Sequence, residues 1–173
     1  MESIECLEDA VLARVALDTG QARLVVAGLI HPPQDIARLF SVLAEAGIKV
    51  DLVVQNETGE VSASLPKDRL EEAVELLDRA LVGWGGARIS RHEPIAILSV
   101  MGTGLKSHGG VAATLFEALA TAGINIEMIS TSEMAITVVL AHAEADRAFD
   151  AVCRTFEFLD DESEGSPVPP STE

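Results

Sequence analysis

Residues 102–132 read GTGLKSHGGVAATLFEALATAGINIEMISTS, and this stretch decides the fold. A glycine-broken turn opens it, an apolar helix is expected over about 108–122, and Gly123 stops that helix directly before a strand over 124–131. A helix start fed by a glycine-rich turn presents unpaired N–H groups and a partial positive charge, an arrangement suited to a carboxylate. Lys106, Ser107, His108, Gly109, Gly110, Val111 and Ala112 are therefore candidate binding residues.

The same grammar occurs earlier in the chain. A shift of 76 positions brings Gly28 onto Gly104, Ala37 onto Ala113 and Phe40 onto Phe116. It also lays the run LAEAGI at 43–48 over LATAGI at 119–124, with Val50 on Ile126 and Asp51 on Glu127. Periodicity supplies the elements around these anchors. In the first copy they are a strand over 22–28, a helix over 34–46, strands over 48–55 and 61–65, a helix over 67–81 and a strand over 87–92. In the second they are a strand over 95–101, the helix over 108–122, strands over 124–131 and 135–141, and a helix over 143–159. The fold class expected is α+β, two ferredoxin-like βαββαβ units in tandem. The units are placed at 22–93 and 94–159, with an acidic, Pro/Ser-rich tail over 160–173 expected to be disordered. The segment 1–21 is loose over its first ten residues and then carries a strand over 10–17, with a turn at 18–21. The second copy lacks a final strand, so this N-terminal strand is expected to complete it and interlock the units.

Composition narrows the function. Hydrophobic residues make up 48% of the 173 positions and aromatic ones 3%, so the core is aliphatic. A net charge of −16 repels nucleic acid and anionic membrane alike. No apolar run reaches the roughly 18–20 residues that span a bilayer, and MESIECLEDA is not a signal peptide. Cys6 and Cys153 read as free thiols in a cytoplasmic protein. The sequence GLKS at 104–107 departs from a phosphate loop because Leu105 separates glycine from lysine. His31 and His92 lack metal-ligand spacing, and no nucleophile–base grouping or paired acids mark a catalytic centre. No cofactor and no metal are expected.

Ser107 to Glu133, SHGGVAATLFEALATAGINIEMISTSE, resembles the tandem ACT domains that form the regulatory region, or small subunit, of aspartate kinase. AEAGIKVDLVVQN at 44–56 is similar to the corresponding stretch of that family's first ACT unit, and the resemblance covers about 11–158. It implies an amino-acid-binding regulator in which lysine and/or threonine binds between ACT units and signals feedback inhibition. The partners it implies are a second copy of the chain or a kinase-bearing catalytic chain. The effector's carboxylate would meet N–H groups at 109–112, and its ammonium would meet carbonyls of a facing strand, oriented by Asn125 or Gln55. Ile126 belongs to the same conserved-looking INIE run. Ser130, Thr131, Ser132 and Glu133 either hydrogen-bond the effector or finish a strand, and Gln55 carries the same two readings. His108 either caps the helix or contacts the effector. Asp51 and Glu127 read as solvent-exposed or interfacial.

The first copy departs from the family pattern. His31, Pro32, Pro33 and Gln34 replace a turn that usually carries an acid and a glycine, and Lys49 replaces an asparagine. That half-shell therefore reads as degraded, whereas the second copy keeps its cation at Lys106 and its approach glycine. A stand-alone ACT sensor of another metabolic enzyme, or a ligand-free dimerisation partner, remains compatible with the residues.

Overall fold

The computed structural model describes residues 11–82, 86–103, 105 and 109–156. The expected loose N-terminus, most of the 83–86 linker, the turn residues 106–108, the end of the last helix and the acidic tail lie outside them. The described chain runs β1 (Val11–Ala27), α1 (Pro32–Glu45), β2 (Val53–Gln55), β3 (Val61–Pro66) and α2 (Leu70–Ala80). It continues with β4 (Arg88–Thr103), α3 (Gly109–Thr121), β5 (Met128–Thr131), β6 (Ala135–Ala141) and α4 (Ala145–Thr155). These strands form one antiparallel sheet in the order β2-β3-β1-β4-β6-β5. Both units share it, giving the expected α+β fold.

The units are joined by two long strands. β1 does not turn back at 18–21 as its sequence suggests; it is one strand of 17 residues. Its first half pairs with β4 from Thr103 to Ile97, and its second half lies between β3 and the first half of β4. The N-terminal strand thus completes the second unit's sheet. The turn chemistry of Asp18-Thr-Gly-Gln is spent on a bulge instead. Asp18 Oδ1 accepts the Gly20 N–H at 2.8 Å, and its Oδ2 accepts from Gln21 Nε2 at 2.9 Å. β4 likewise runs unbroken through Pro94, where two strands were expected. Successive partners Asp18↔Ile97, Gln21↔Ile95 and Arg23↔His92 put one extra residue on β1 and then one on β4. Pro94 falls in this second slip, so its missing N–H costs no ladder bond. Each slip reverses side-chain alternation on its strand. Val15 and Leu17 ahead of it, and Ala22, Leu24 and Val26 after it, all reach helix-covered cores.

The repeated Leu-Ala-x-Ala-Gly-Ile run is a helix stop. Gly47 and Gly123 take φ of +66° and +69°, which a side chain would disfavour. Their N–H groups donate to Ala44 and Ala120, while those of Ile48 and Ile124 reach back to Leu43 and Leu119 at 2.9 and 3.0 Å. Buried Leu and Ile at the ends of each run pack on the core, which completes a Schellman cap. Arg69 Nη2 donates to the Ala46 carbonyl at 3.1 Å, and Arg147 Nη2 donates to the equivalent Ala122 carbonyl. Cations thus meet the negative ends of α1 and α3. The Glu72 hydrogen bond holds the Arg69 pKa above its ordinary value.

α1 and α2 cover one core, centred on Leu24, Leu39, Leu43, Leu65 and Leu77. α3 and α4 cover the other, centred on Leu98, Leu115, Leu119, Val138 and Val152. A third cluster lies on the helix-free face: Ile95, Ile97, Met128 and Val139, with Leu52 and Val54 packed against them. β2 lies three strands from β4 in the sheet, so its packing on this cluster requires the sheet to curl. The edge strands are shorter than expected, beginning at Val53 and Met128 rather than at 48 and 124. Asp51 and Leu52 both bond Ser64, and Glu127 N–H bonds Val139 O, so the chain approaches the sheet before entering a regular ladder.

Deleting residues 1–19 removes the strand that pairs with 97–103 and takes Val15 and Leu17 from the second core. Two lost aliphatic side chains alone cost about 3 kcal/mol or more. Hydrogen exchange should show β6 and α4 losing protection in the truncated chain; full protection there would refute a stabilising role for the interlock.

Candidate functional site

The two helix starts are the places where backbone N–H groups gather. In the second unit, Leu105 precedes α3 and is 3% exposed, its side chain sunk in the core. Its counterpart, Leu29, packs on the first core in the same way. Sequence reading treated Leu105 only as the residue that spoils a phosphate loop; its burial anchors the turn. The Gly102 N–H donates to Met134 O at 2.9 Å and draws the β5–β6 turn to the same end of the sheet.

Val111 is buried and Ala112 half-buried against the core, so their side chains serve packing and only their backbone can face a ligand. Gly110 is exposed, and a Cβ built on it would meet nothing within 4 Å. Gly109 opens α3, while Lys106, Ser107 and His108 lie outside the described residues. Ser132 is committed to the turn: its Oγ accepts the N–H groups of Met134 and Ala135 at 3.3 and 3.0 Å. Thr131 and Glu133 are exposed and Ser130 is half-buried opposite Thr137.

Two candidates lie elsewhere. Asn125 is exposed and Ile126 packs on the core, both beyond the C-terminal end of α3. A helix of 13 residues separates them from Gly109 by about 20 Å. Gln55 ends β2, at the opposite edge of the sheet from β5. Its neighbour Asn56 accepts three hydrogen bonds from Thr58 and Glu60 and shapes the β2–β3 turn. A single chain therefore gathers the α3 start and the β5–β6 turn, and does not bring Asn125 or Gln55 to them.

The first helix start differs chemically. Pro32 and Pro33 carry no N–H, and His31, Pro33, Gln34 and Lys49 are all exposed. Asp35 turns back on the loop ahead of the helix: its Oδ2 accepts from Ile30 N at 3.1 Å and from His31 N at 2.8 Å. Under the 76-residue shift Asp35 falls on Val111, which cannot do this. The signal available in the sequence was an acid in the first helical turn after two prolines.

Asp51 and Glu127 also separate. Glu127 forms an ion pair with Arg23 at 2.9 Å across the helix-free face, whereas Asp51 lines a cavity there. Among the described residues no group of three or more His, Cys, Asp or Glu could hold a metal ion. No helix among them is long and apolar enough to cross a membrane.

A model of the ACT domain matches residues 98–156. The chain is 36% identical to the ligand-free regulatory subunit of aspartate kinase from Thermus thermophilus, with a TM-score of 0.79 over 84% of this chain and 99% of that one. It is similar also to a chain in a crystal structure of aspartokinase alpha and beta subunits, at 33% identity and TM-score 0.79, covering 85% and 99% of the two chains. Aspartokinase of Mycolicibacterium smegmatis is 38% identical over 156 residues, 87% of this chain but 37% of that protein. The chain thus spans well under half the length of the full aspartokinases it matches.

Asp35→Ala strips the acceptor from two loop N–H groups and a negative charge from the start of α1. The expected loss is about 1 kcal/mol, read from the midpoint of denaturant unfolding. An unchanged midpoint would mean that water satisfies those amides equally well.

Proposed function

The chain belongs to the ACT-domain family in its aspartate-kinase regulatory branch, and from that premise we propose that it is an amino-acid-responsive regulatory subunit acting on a kinase-bearing chain. Lysine and/or threonine is the effector, and its binding communicates feedback control of aspartate phosphorylation. The observation that carries this reading is the start of α3. Gly110 leaves open space at the first turn, and Val111 stands where the first copy has Asp35, whose carboxylate occupies that helix start. The effector's carboxylate accepts from the first-turn amides of α3 in the field of the helix dipole.

Asn125 and Gln55 reach this start only from another ACT unit, which a second chain supplies. The sheet's two edges suit that role. β2 and β5 each leave one side of the ladder unpaired and expose Val53 and Ile129, each 48% accessible and related by the 76-residue shift. Edge-to-edge pairing of two copies, or of this chain with the regulatory part of a kinase-bearing chain, covers both. An effector bound between units then shifts the population of subunit arrangements by its differential affinity for them.

A thermal-shift screen against the amino acids tests the sensor. An effector at 100-fold its dissociation constant stabilises by about 2.7 kcal/mol, a clear rise in melting temperature. Gly110→Leu should leave the unliganded melting temperature nearly unchanged while abolishing the rise. No response to any amino acid, alone or with a kinase chain present, would sink the reading. Val53→Lys places a charge on the exposed edge and should convert the dimer to monomer in light scattering; an unaltered mass would place the interface elsewhere.

A further inference from the structure

The 76-residue shift also pairs residues on the helix-free face, and there the two halves differ in charge. It lays Asp51 on Glu127 and Arg23 on Ser99. In one half, Glu127 reaches Arg23 at 2.9 Å, and the two side chains are 25% and 17% exposed. In the other, Asp51 and Ser99 line one cavity, and Ser99 carries no charge. The cavity has a volume of about 350 Å³ and is bounded by Arg14, Asp18, Asp51, Leu52, Ile97 and Ser99. Arg23, which pairs with the acid of one half, has Ser99 as its counterpart in the other, and a space of small-ligand size lies beside Ser99.

The lining has defined binding capacity. Asp18 already accepts from Gly20 and Gln21. Asp51 and Arg14 make no ion pair or side-chain hydrogen bond among the described residues. Ser99 is 9% exposed, and its Oγ shares a 3.0 Å hydrogen bond with Thr137 Oγ1. One donor thus sits between two hydroxyls, which leaves acceptor lone pairs facing the cavity floor. Leu52, Ile97 and Met101 add apolar wall for an aliphatic stem.

We propose that this cavity is a binding site for a small organic cation carrying an ammonium or guanidinium group. The cation takes the place Arg23 holds in the other half: it pairs with Asp51 and donates to Ser99 and Thr137. Arg14, also in the lining, favours ligands that carry an anionic group as well. The site is separate from the α3 helix start, on the opposite face of the sheet.

Titration of the isotopically labelled full chain with agmatine, 4-guanidinobutyrate and n-butylamine, followed by amide chemical shifts, tests the site. 1-Butanol is the uncharged control. Shifts should cluster at Asp51, Ser99, Met101 and Thr137 and leave Gly109 to Ala112 unmoved, which separates this site from effector binding. 4-Guanidinobutyrate should bind more tightly than n-butylamine, and Arg14→Gln should erase that preference. Asp51→Asn should weaken binding about tenfold or more. Ser99→Arg, which supplies the cation in cis, should abolish binding and raise the melting temperature; if that variant does not fold, Asp51→Asn decides. Small shifts spread over the acidic surface, or an Asp51→Asn affinity equal to wild type, would overturn the proposal.

Discussion

The structure depends on the pairing of β1 with β4. Each strand is long enough to serve both units, and every other strand attaches to one of them or to a strand that does. Seen in isolation, each unit would be an incomplete sheet with a hydrophobic face; neither has a private set of central strands. Two bulges make the sharing possible. An uninterrupted ladder would turn the second core to the opposite face from the first, because side chains alternate with a period of two. One extra residue on each strand corrects the phase while restoring the register. The helices can then pack on one face and leave the other free to curl on itself.

That curling gives the helix-free face its character. It is closed by a small apolar cluster and one partly buried ion pair, not by a second layer of helices. Duplication laid down two equivalent halves, and substitution then made them unequal in two independent places. At the helix starts, one copy places a carboxylate on the N–H groups ahead of its helix, while the other has Val111 at that position and open space beside Gly110. On the helix-free face, one copy keeps an internal cation and the other does not. The half whose helix start carries its own carboxylate also carries Asp51 on the sheet face, without an ion pair among the described residues.

What the sequence made legible, it did through repetition. The run Leu-Ala-x-Ala-Gly-Ile appears twice because its leucine, glycine and isoleucine each have a fixed place in a helix stop, and that alone located two helices and the strands after them. Asp18-Thr-Gly-Gln and Pro94 misled for one reason: turn and break residues also suit bulges, and local chemistry does not distinguish a chain that reverses from one that slips. The missing final strand of the second unit was legible by counting elements. The contact of Leu52 and Val54 with Ile95 and Ile97 was not, since alternation says which side of a strand is apolar and not what covers it. Asp35 escaped notice because a capping carboxylate resembles any other acid in a first turn. Of the candidate residues, Gly109 and Asn125 looked like neighbours in one motif, but the 13 residues of α3 hold them at opposite ends of a helix, a distance that motif reading does not weigh.

The shared strands also bear on how the chain is made. The first half of β1 leaves the ribosome ahead of the whole first unit, yet its partner is the last part of β4, encoded after that unit. At ordinary elongation rates the wait is on the order of ten seconds. During it an aliphatic strand carrying Val15 and Leu17 has no ladder, and the first unit can already assemble beside it. Such late, long-range closure makes for slow folding and a strand open to the wrong neighbour. Synthesis of this protein therefore has a vulnerable interval that begins with β1 and ends only when β4 is complete.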